Sequence, residues 1–132
     1  MGERRVAAVV LGMHRSGTSA VAGTLAHLGL QQPRTLFPPS ADNPAGYFES
    51  PRIVAANHHI LSVDGCAWTT CLKFNATRTR RSLAAHMDTV LRDILLQEYG
   101  NSGPFVVKDP RLCVTLPLWQ PALKLLDMDQ RY

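Results

Sequence analysis

The chain has 132 residues, of which 45% are hydrophobic and 18% are charged. This length fits one small domain or part of a larger one, and the charge content excludes a charge-rich disordered chain. The formal net charge of +4 slightly favours anionic ligands, but the basic residues are scattered along the sequence. The nearest approach to a basic cluster is Arg78, Arg80 and Arg81, which we expect to be a solvated helix start. We therefore expect no nucleic-acid partner.

From the sequence we expect neither a membrane-spanning segment nor an export signal. It contains no run of about 18 apolar residues, so we expect no membrane span. The basic pair Arg4-Arg5 precedes an apolar run, but that run leads straight into a glycine-bearing turn and an amphipathic helix. The three cysteines, Cys66, Cys71 and Cys113, match no metal-ligand spacing and are expected to be free thiols. These features predict a cytoplasmic protein.

The N-terminal part of the chain predicts a strand followed directly by a helix. Residues 6–13 form a continuous apolar run with β-branched members, which is typical of a strand covered on both faces. Apolar residues then recur at helical spacing over 16–28, and Gly29 is a natural helix end. A strand, a tight turn and a helix in direct succession are the order that a parallel α/β fold requires.

The middle of the chain predicts a long loop and a second helix. Residues 31–50 are rich in Pro, Ser, Asn and Gly, and the aromatic residues among them indicate an ordered loop that docks onto the domain. Ser50 and Pro51 fit a helix N-cap and a first-turn proline, so we expect a helix that ends near Leu61. Another irregular stretch covers 62–78.

The C-terminal part predicts two more helices and a second strand. One long amphipathic helix is expected over 79–99, a short strand over 104–107, and a helix over 116–126. The last residues are typical of the approach to a further strand that begins near Tyr132. Because two parallel strands do not make a self-sufficient sheet, we expect residues 1–132 to be the N-terminal part of a single larger domain.

The turn "GMHRSGTS", residues 12–19, has the G-x-x-x-x-G-x-S spacing of a phosphate-binding loop. Unpaired N–H groups and the helix dipole attract an anion at a helix start, and glycine lets the backbone approach it closely. Arg15 adds a full charge, while Thr18 and Ser19 add hydroxyl donors. Thr18 stands where a nucleotide triphosphatase has its lysine, which indicates a different phosphorylated ligand. The alternative is a plain strand-to-helix turn that binds nothing.

The same turn resembles the 5′-phosphosulfate loop of the sulfotransferase family, whose sulfuryl donor is 3′-phosphoadenosine 5′-phosphosulfate (PAPS). The segments "NPAGYFES" and "VVKDPRLC" resemble the bacterial-type branch of that family in matching order, so the resemblance covers residues 6 to about 119. It implies that the donor's phosphate and sulfate are held by Arg15, Ser16, Gly17, Thr18 and Ser19. From the geometry of the turn we expect Gly12 to shape it and His14 to contribute its backbone. Arg15 stands where many members have lysine, and its guanidinium can stabilise a leaving phosphate without a metal, so no metal is expected.

The resemblance also implies a general base close to the loop, and Glu49 is the best candidate. The alternative for Glu49 is a surface carboxylate that complements a helix dipole. His58 and His59 are weaker candidates, because neighbouring residues on a helix point in different directions.

Lys108 and Arg111 follow the second strand, at the edge of the sheet where ligands bind. We assign Lys108 to the catalytic group and Arg111 to donor binding; the alternative is that Arg111 only pairs with Asp109. The family's 3′-phosphate motif has a serine eight residues after its arginine. Counting from Lys108 gives Leu116, with Thr115 one residue short, so we expect the 3′-phosphate segment to lie beyond residue 132.

We therefore expect an α/β, P-loop-containing domain with a three-layer parallel sheet flanked by helices, incomplete at its C-terminus. Its expected function is sulfuryl transfer from PAPS to a hydroxyl or amine of a small-molecule or carbohydrate acceptor. Activity of residues 1–132 alone is expected to be weak or absent. The alternatives are a P-loop kinase and a non-catalytic phosphate-binding or interaction module. Acceptor choice is expected to lie in the two loops, 31–50 and 62–78.

Overall fold

The computed structural model describes residues 5–132, so Arg4 of the basic pair lies outside the described residues. Its strands are β1 (Arg5–Val10), β2 (Phe105–Lys108) and β3 (Met128–Arg131). Its helices are α1 (Thr18–His27), α2 (Pro51–Val63), α3 (Ala76–Ser82), α4 (Met87–Tyr99) and α5 (Leu112–Leu125). A short 3-10 segment spans Trp68–Lys73. Within residues 5–132 no helix is both long and apolar enough to cross a membrane.

The sheet is parallel, with the strand order β2-β1-β3. The register places Val10 of β1 opposite Lys108 of β2 and Ala8 of β1 opposite Arg131 of β3. Because parallel strands end at the same edge, the turn that follows β1 and the residues that follow β2 are neighbours. The predicted α/β class with a parallel sheet is confirmed.

Helices cover both faces of this sheet. On one face, α1 packs over a small core that includes Val10, Ala22 and Val106. On the other face, α2, α4 and α5 pack over a larger core that includes Phe105 and Leu118. Alternate residues of a strand point to opposite faces, so β1 and β2 supply apolar side chains to both cores. The continuous apolar run of β1 therefore reflects burial on two sides, as predicted.

The long helix predicted over 79–99 is wrong, because residues 83–86 separate α3 from α4. Leu83 has an extended backbone (φ −74°, ψ 148°), which ends α3. The break lets α3 pack against α2 and α5 while α4 packs against α5. Arg80 spans the break, with bonds to the carboxylate of Asp88 and the carbonyl oxygen of Leu118. Tertiary contacts of this kind outweigh a continuous helical pattern.

The C-terminal part also differs from the sequence-based expectation. Helix α5 begins at Leu112 rather than near residue 116, because Asp109 closes a turn immediately after β2 by accepting from the backbone N–H groups of Arg111 and Leu112. The further strand does not begin near Tyr132: it is β3, which is already paired with β1. The sheet therefore has three strands, of which the sequence pattern predicted two.

Candidate functional site

The turn between β1 and α1 is closed by contacts among its own residues. A Cβ atom on Gly12 would lie 2.5 Å from Cγ2 of Thr18 and 2.8 Å from Oγ of Ser16, so a side chain there would force these neighbours to shift. The hydroxyl of Ser16 donates to the carbonyl oxygen of Met13. Arg15 (φ 60°) and Gly17 (φ 87°) have left-handed backbone conformations. Gly12 and Ser16 thus shape the turn from within, and neither lines the cleft described below.

Helix α1 presents its N-terminus at this turn. Its first intrahelical bond runs from the N–H of Val21 to the carbonyl oxygen of Gly17. Gly17 is the N-cap residue and has no side chain that could cap the helix. The N–H groups of Thr18, Ser19 and Ala20 precede that bond, and the helix dipole places partial positive charge there. No acidic residue occupies the first turn of α1, whereas the side chain of Arg15 is exposed beside it. The local field therefore favours an anion.

Lys108 joins three segments at the base of the site. Its Nζ atom lies 2.6 Å from Oε1 of Glu49, 3.3 Å from Oγ of Ser19 and 3.1 Å from the carbonyl oxygen of Tyr47. The Lys108 and Glu49 side chains are only 4% and 10% exposed. The register explains the meeting, because Lys108 ends β2 opposite Val10 and so lies beside the turn after β1. The structure therefore brings together Ser19, Glu49 and Lys108, three residues singled out from the sequence.

The position of Glu49 differs from that of a surface residue next to a helix dipole. Glu49 is buried, and its carboxylate is bonded to Lys108. The N-cap of α2 is the next residue, Ser50, whose Oγ accepts from the N–H groups of Arg52 and Ile53 at 3.2 Å each. Ser50 thus satisfies the helix end, and the Glu49 side chain turns to the cleft.

A cleft of about 1150 Å³ opens beside the turn. One wall is α1, and the facing wall is the segment 42–49, which ends at Glu49. The ring of Phe48 packs close to Gly23 of α1: a Cβ atom on that glycine would lie 3.0 Å from the ring. Arg15, Glu49 and Lys108 all line the cleft, together with Trp68 from the irregular stretch. The volume is sufficient for a nucleotide-sized ligand or a drug-sized one.

Several of the predicted residues lie away from this cleft. Arg111 is paired through its guanidinium with Asp109 at 2.7 Å, which is the alternative arrangement considered from the sequence. Thr115 is fully buried and donates to Oδ1 of Asn57 at 2.8 Å, inside the core. His58 and His59 are exposed on α2. The candidates among these residues are Arg111, His58 and His59, and neither they nor Thr115 line the cleft.

Trp68 and Asn43 are among the cleft residues that sequence reasoning missed. Trp68 contacts the ring of His14, with the ring centroids 4.3 Å apart and the planes at 59°. Asn43 lies 3.5 Å from Oγ of Ser19 through its Nδ2 atom. Asn43 belongs to the "NPAGYFES" segment, so that resemblance carried a signal for it. The stretch around Trp68 has no periodicity or motif that would mark it.

A scan against protein-family models finds no match, and searches of curated proteins and of solved structures find none either. Across the described part of the chain, no group of three or more His, Cys, Asp or Glu side chains is arranged to hold a metal ion. The charges and the shape of the site are therefore the basis for inferring its function.

Proposed function

We propose that the chain is a sulfotransferase-like protein that binds the 5′-phosphosulfate of PAPS at residues 12–19. In this proposal the sulfuryl group passes to a hydroxyl or amine of an acceptor in the adjoining cleft. The observation that carries the proposal is the cluster of Lys108, Glu49 and Ser19 at the N-terminus of α1, with Nζ of Lys108 2.6 Å from Oε1 of Glu49. It places a cation and a carboxylate beside an anion-attracting helix end.

The loop supports a phosphorylated ligand on electrostatic grounds. The free N–H groups at the start of α1 and the charge of Arg15 act in the same direction, and Lys108 lies within the same cleft. Thr18, which is buried, is too short to replace the lysine that reaches the outer phosphates of a nucleoside triphosphate. These features favour a phosphate joined to one further anionic group.

The charged residues of the site have distinct roles in the proposed reaction. PAPS supplies the sulfuryl group. Arg15 and the N–H groups of the turn hold its charged end, and Lys108 stabilises negative charge close to Ser19. Glu49 accepts the proton of the acceptor hydroxyl, and its bond to Lys108 holds the carboxylate in place at the cleft.

Ligand-dependent thermal stabilisation tests the binding step. The chain should be melted with adenosine 3′,5′-bisphosphate, with ATP and magnesium, and without ligand; we expect the bisphosphate to raise Tm more than ATP does. The Arg15→Ala variant should bind the bisphosphate at least about 10-fold more weakly, because a hydrogen bond to a charged group is lost. His58→Ala, an exposed change outside the cleft, is the matched control.

A preference for ATP with magnesium would favour a kinase and overturn the proposal. Equal responses of the Arg15→Ala and His58→Ala variants would show that the ligand binds elsewhere. The transfer step itself is tested with sulfur-labelled PAPS, by following label that moves to an acceptor. Glu49→Gln should lower this transfer while the bisphosphate still binds, because the amide cannot accept the proton.

A further inference from the structure

The carboxylate of Glu98 contacts two points of the chain that are distant from each other in sequence. Glu98 lies in the last turn of α4, is 1% exposed and does not line the cleft. Its oxygens accept from the hydroxyl of Thr35 at 2.9 Å and from the backbone N–H of Thr35 at 3.2 Å. Nε of Arg52 lies 3.2 Å from Oε1 of the same carboxylate. One buried group therefore holds residues 35 and 52 close together.

The facing wall of the cleft, residues 42–49, lies between these two points of the chain. Two short connections lead from the carboxylate to Glu49. On one side, Phe37 donates its N–H to the carbonyl oxygen of Glu49 at 3.0 Å, two residues beyond the first contact. On the other side, Arg52 lies in the first turn of α2, three residues after Glu49. The backbone on both sides of Glu49 is therefore tied to Glu98.

The burial of Glu98 couples it to the two ends of this segment. A buried carboxylate loses its hydration and needs partners to offset that loss. Among residues 5–132, the partners of the Glu98 side chain are Thr35 and Arg52. Both come from outside α4 and lie at the surface: Thr35 is exposed, and the Arg52 side chain is 53% exposed. The buried carboxylate is thus satisfied only while both ends of the segment are in place.

We propose that Glu98 is a positioning residue. From outside the cleft it closes both ends of the segment 35–52 and thereby sets the place of the facing wall and of the Glu49 carboxylate. This inference rests on the proposed function where it concerns transfer, whereas the closure of the segment can be measured without a ligand. The turn of residues 12–19 is held by its own contacts, so loss of the closure should impair transfer more than donor binding.

Amide hydrogen exchange without denaturant measures the closure of the segment. The reporter is the N–H of Phe37, whose bond to Glu49 spans the segment. Thr35→Val changes an exposed side chain, keeps its shape and removes its hydroxyl, so the chain should still fold. The Phe37 N–H should then exchange about 10-fold faster, as expected for the loss of one hydrogen bond to a carboxylate. The N–H of Leu83, which donates to Thr79 at the end of α3, opens locally elsewhere and should be unchanged.

Two matched variants separate the loss of the hydroxyl from the substitution itself. Thr35→Ser retains the hydroxyl, so its Phe37 N–H should exchange at the rate of the unaltered chain. Thr77→Val makes the same change at an exposed threonine whose side chain has no hydrogen bond among residues 5–132, and it should leave the exchange of Phe37 unaltered.

Arg52→Met tests the other end of the segment. It removes the guanidinium and keeps an apolar side chain at the same place. The Phe37 N–H should exchange about 2- to 5-fold faster, a smaller effect than at Thr35 because a half-exposed ion pair contributes less. Gln97→Ala removes the exposed amide that Arg52 also contacts and keeps the pair with Glu98, so it should leave the exchange of Phe37 unchanged.

Transfer of label from PAPS tests what the closure does for the proposed reaction. Thr35→Val should lower kcat about 10-fold, because a small displacement of a reacting group has a large effect on rate. The KM for PAPS and the affinity for adenosine 3′,5′-bisphosphate should stay within about 2-fold of the unaltered chain. Thr35→Ser should restore kcat. Equal falls in donor binding and in transfer would contradict a positioning role.

The exchange measurements decide the closure independently of the proposed function. If the bisphosphate does not stabilise the unaltered chain, the proposed function fails and the exchange result still stands. The assignment of Glu98 would be overturned if Thr35→Val left the exchange of Phe37 unchanged, if it accelerated Leu83 equally, or if Thr35→Ser did not restore the slow exchange.

Discussion

At the scale of single residues, the ion pair of Lys108 and Glu49 should contribute to stability because it is buried. Removal of one partner leaves the other charge uncompensated, so we expect Lys108→Met to lower the free energy of unfolding by about 3–5 kcal/mol. The double variant Glu49→Gln/Lys108→Met removes both charges and should recover part of that loss. Urea denaturation of the unaltered chain and of both variants measures these differences.

The exposed pair of Arg131 and Asp129 provides the control for this cycle. Their side chains are 68% and 37% exposed, and such surface pairs contribute about 0–1 kcal/mol. Asp129→Asn should therefore change the free energy of unfolding little. If Lys108→Met lowers the free energy of unfolding no more than Asp129→Asn does, the buried pair does not stabilise the fold as predicted.

Tyr99 is a second residue whose environment makes a specific prediction. Its hydroxyl is buried without a hydrogen-bond partner among residues 5–132, and its ring stacks on Phe105. We expect Tyr99→Phe to keep the stacking and to leave the free energy of unfolding at neutral pH unchanged or raised by about 1 kcal/mol. Urea denaturation at pH 7 measures this difference, and a clear loss of stability would contradict it.

The pH dependence of the same variant follows from the titration of the hydroxyl. Burial, and then the charge of Glu98, raise the pKa of Tyr99 well above its ordinary value of 10.0. A raised pKa means that the folded state retains the proton, so this contribution to stability is fully present below about pH 10 and is lost as the pH rises further. Tyr99→Phe should therefore lose less stability above pH 10 than the unaltered chain, whereas Tyr132→Phe, an exposed site, should not differ from it.

At the scale of elements, local chemistry determined what could be predicted. The apolar run of β1, the glycine turn and the Ser50-Pro51 helix start are short-range signals, and the structure has β1, α1 and α2 where those signals lie. The break between α3 and α4 left no such signal, because Leu83 and Met87 continue the helical period across it and both pack against the core. The break depends on contacts with other helices, which periodicity does not report.

The start of α2 allows a prediction about an element. Ser50 is 1% exposed, and its hydroxyl oxygen accepts from two N–H groups of the first turn. Ser50→Ala should lower the free energy of unfolding by about 1–2 kcal/mol, since it removes the cap from a buried helix end. Ser62→Ala, at an exposed site in the last turn of the same helix, should cost less than about 0.5 kcal/mol. Equal costs in urea denaturation would contradict a capping role.

At the scale of the whole molecule, the site depends on how separate parts of the chain meet. Residues after β1, before α2 and at the end of β2 converge at one sheet edge, and parallel-sheet geometry made Lys108 and the turn predictable as neighbours. The place of Trp68 was not predictable, because it is set by the path of an irregular stretch. Sequence reasoning therefore reached the charged half of the cleft and missed its aromatic wall.

A buried polar network beneath that edge connects the larger parts of the fold. Asn57 of α2 donates to Oδ2 of Asp109 at 2.8 Å, and its Oδ1 atom accepts from Thr115 at 2.8 Å and from Nε1 of Trp119 at 2.7 Å. It thereby joins α2 to the end of β2 and to α5. Asp109 also accepts from Arg111, which gives the "DPR" part of the C-terminal motif a structural role next to Lys108.

Removal of Asn57 tests whether this network holds the molecule together. Asn57→Ala leaves polar groups of Asp109 and Trp119 buried without that partner, so we expect the free energy of unfolding to fall by about 2–4 kcal/mol. Thr115→Val removes one donor and keeps the other two bonds of Asn57, so it should lower the free energy of unfolding less than Asn57→Ala does. The fluorescence of Trp119 follows both transitions in urea.

Because Asp109 adjoins Lys108, Asn57→Ala should also weaken the thermal stabilisation by adenosine 3′,5′-bisphosphate. Unchanged stabilisation would mean that the network supports the core alone.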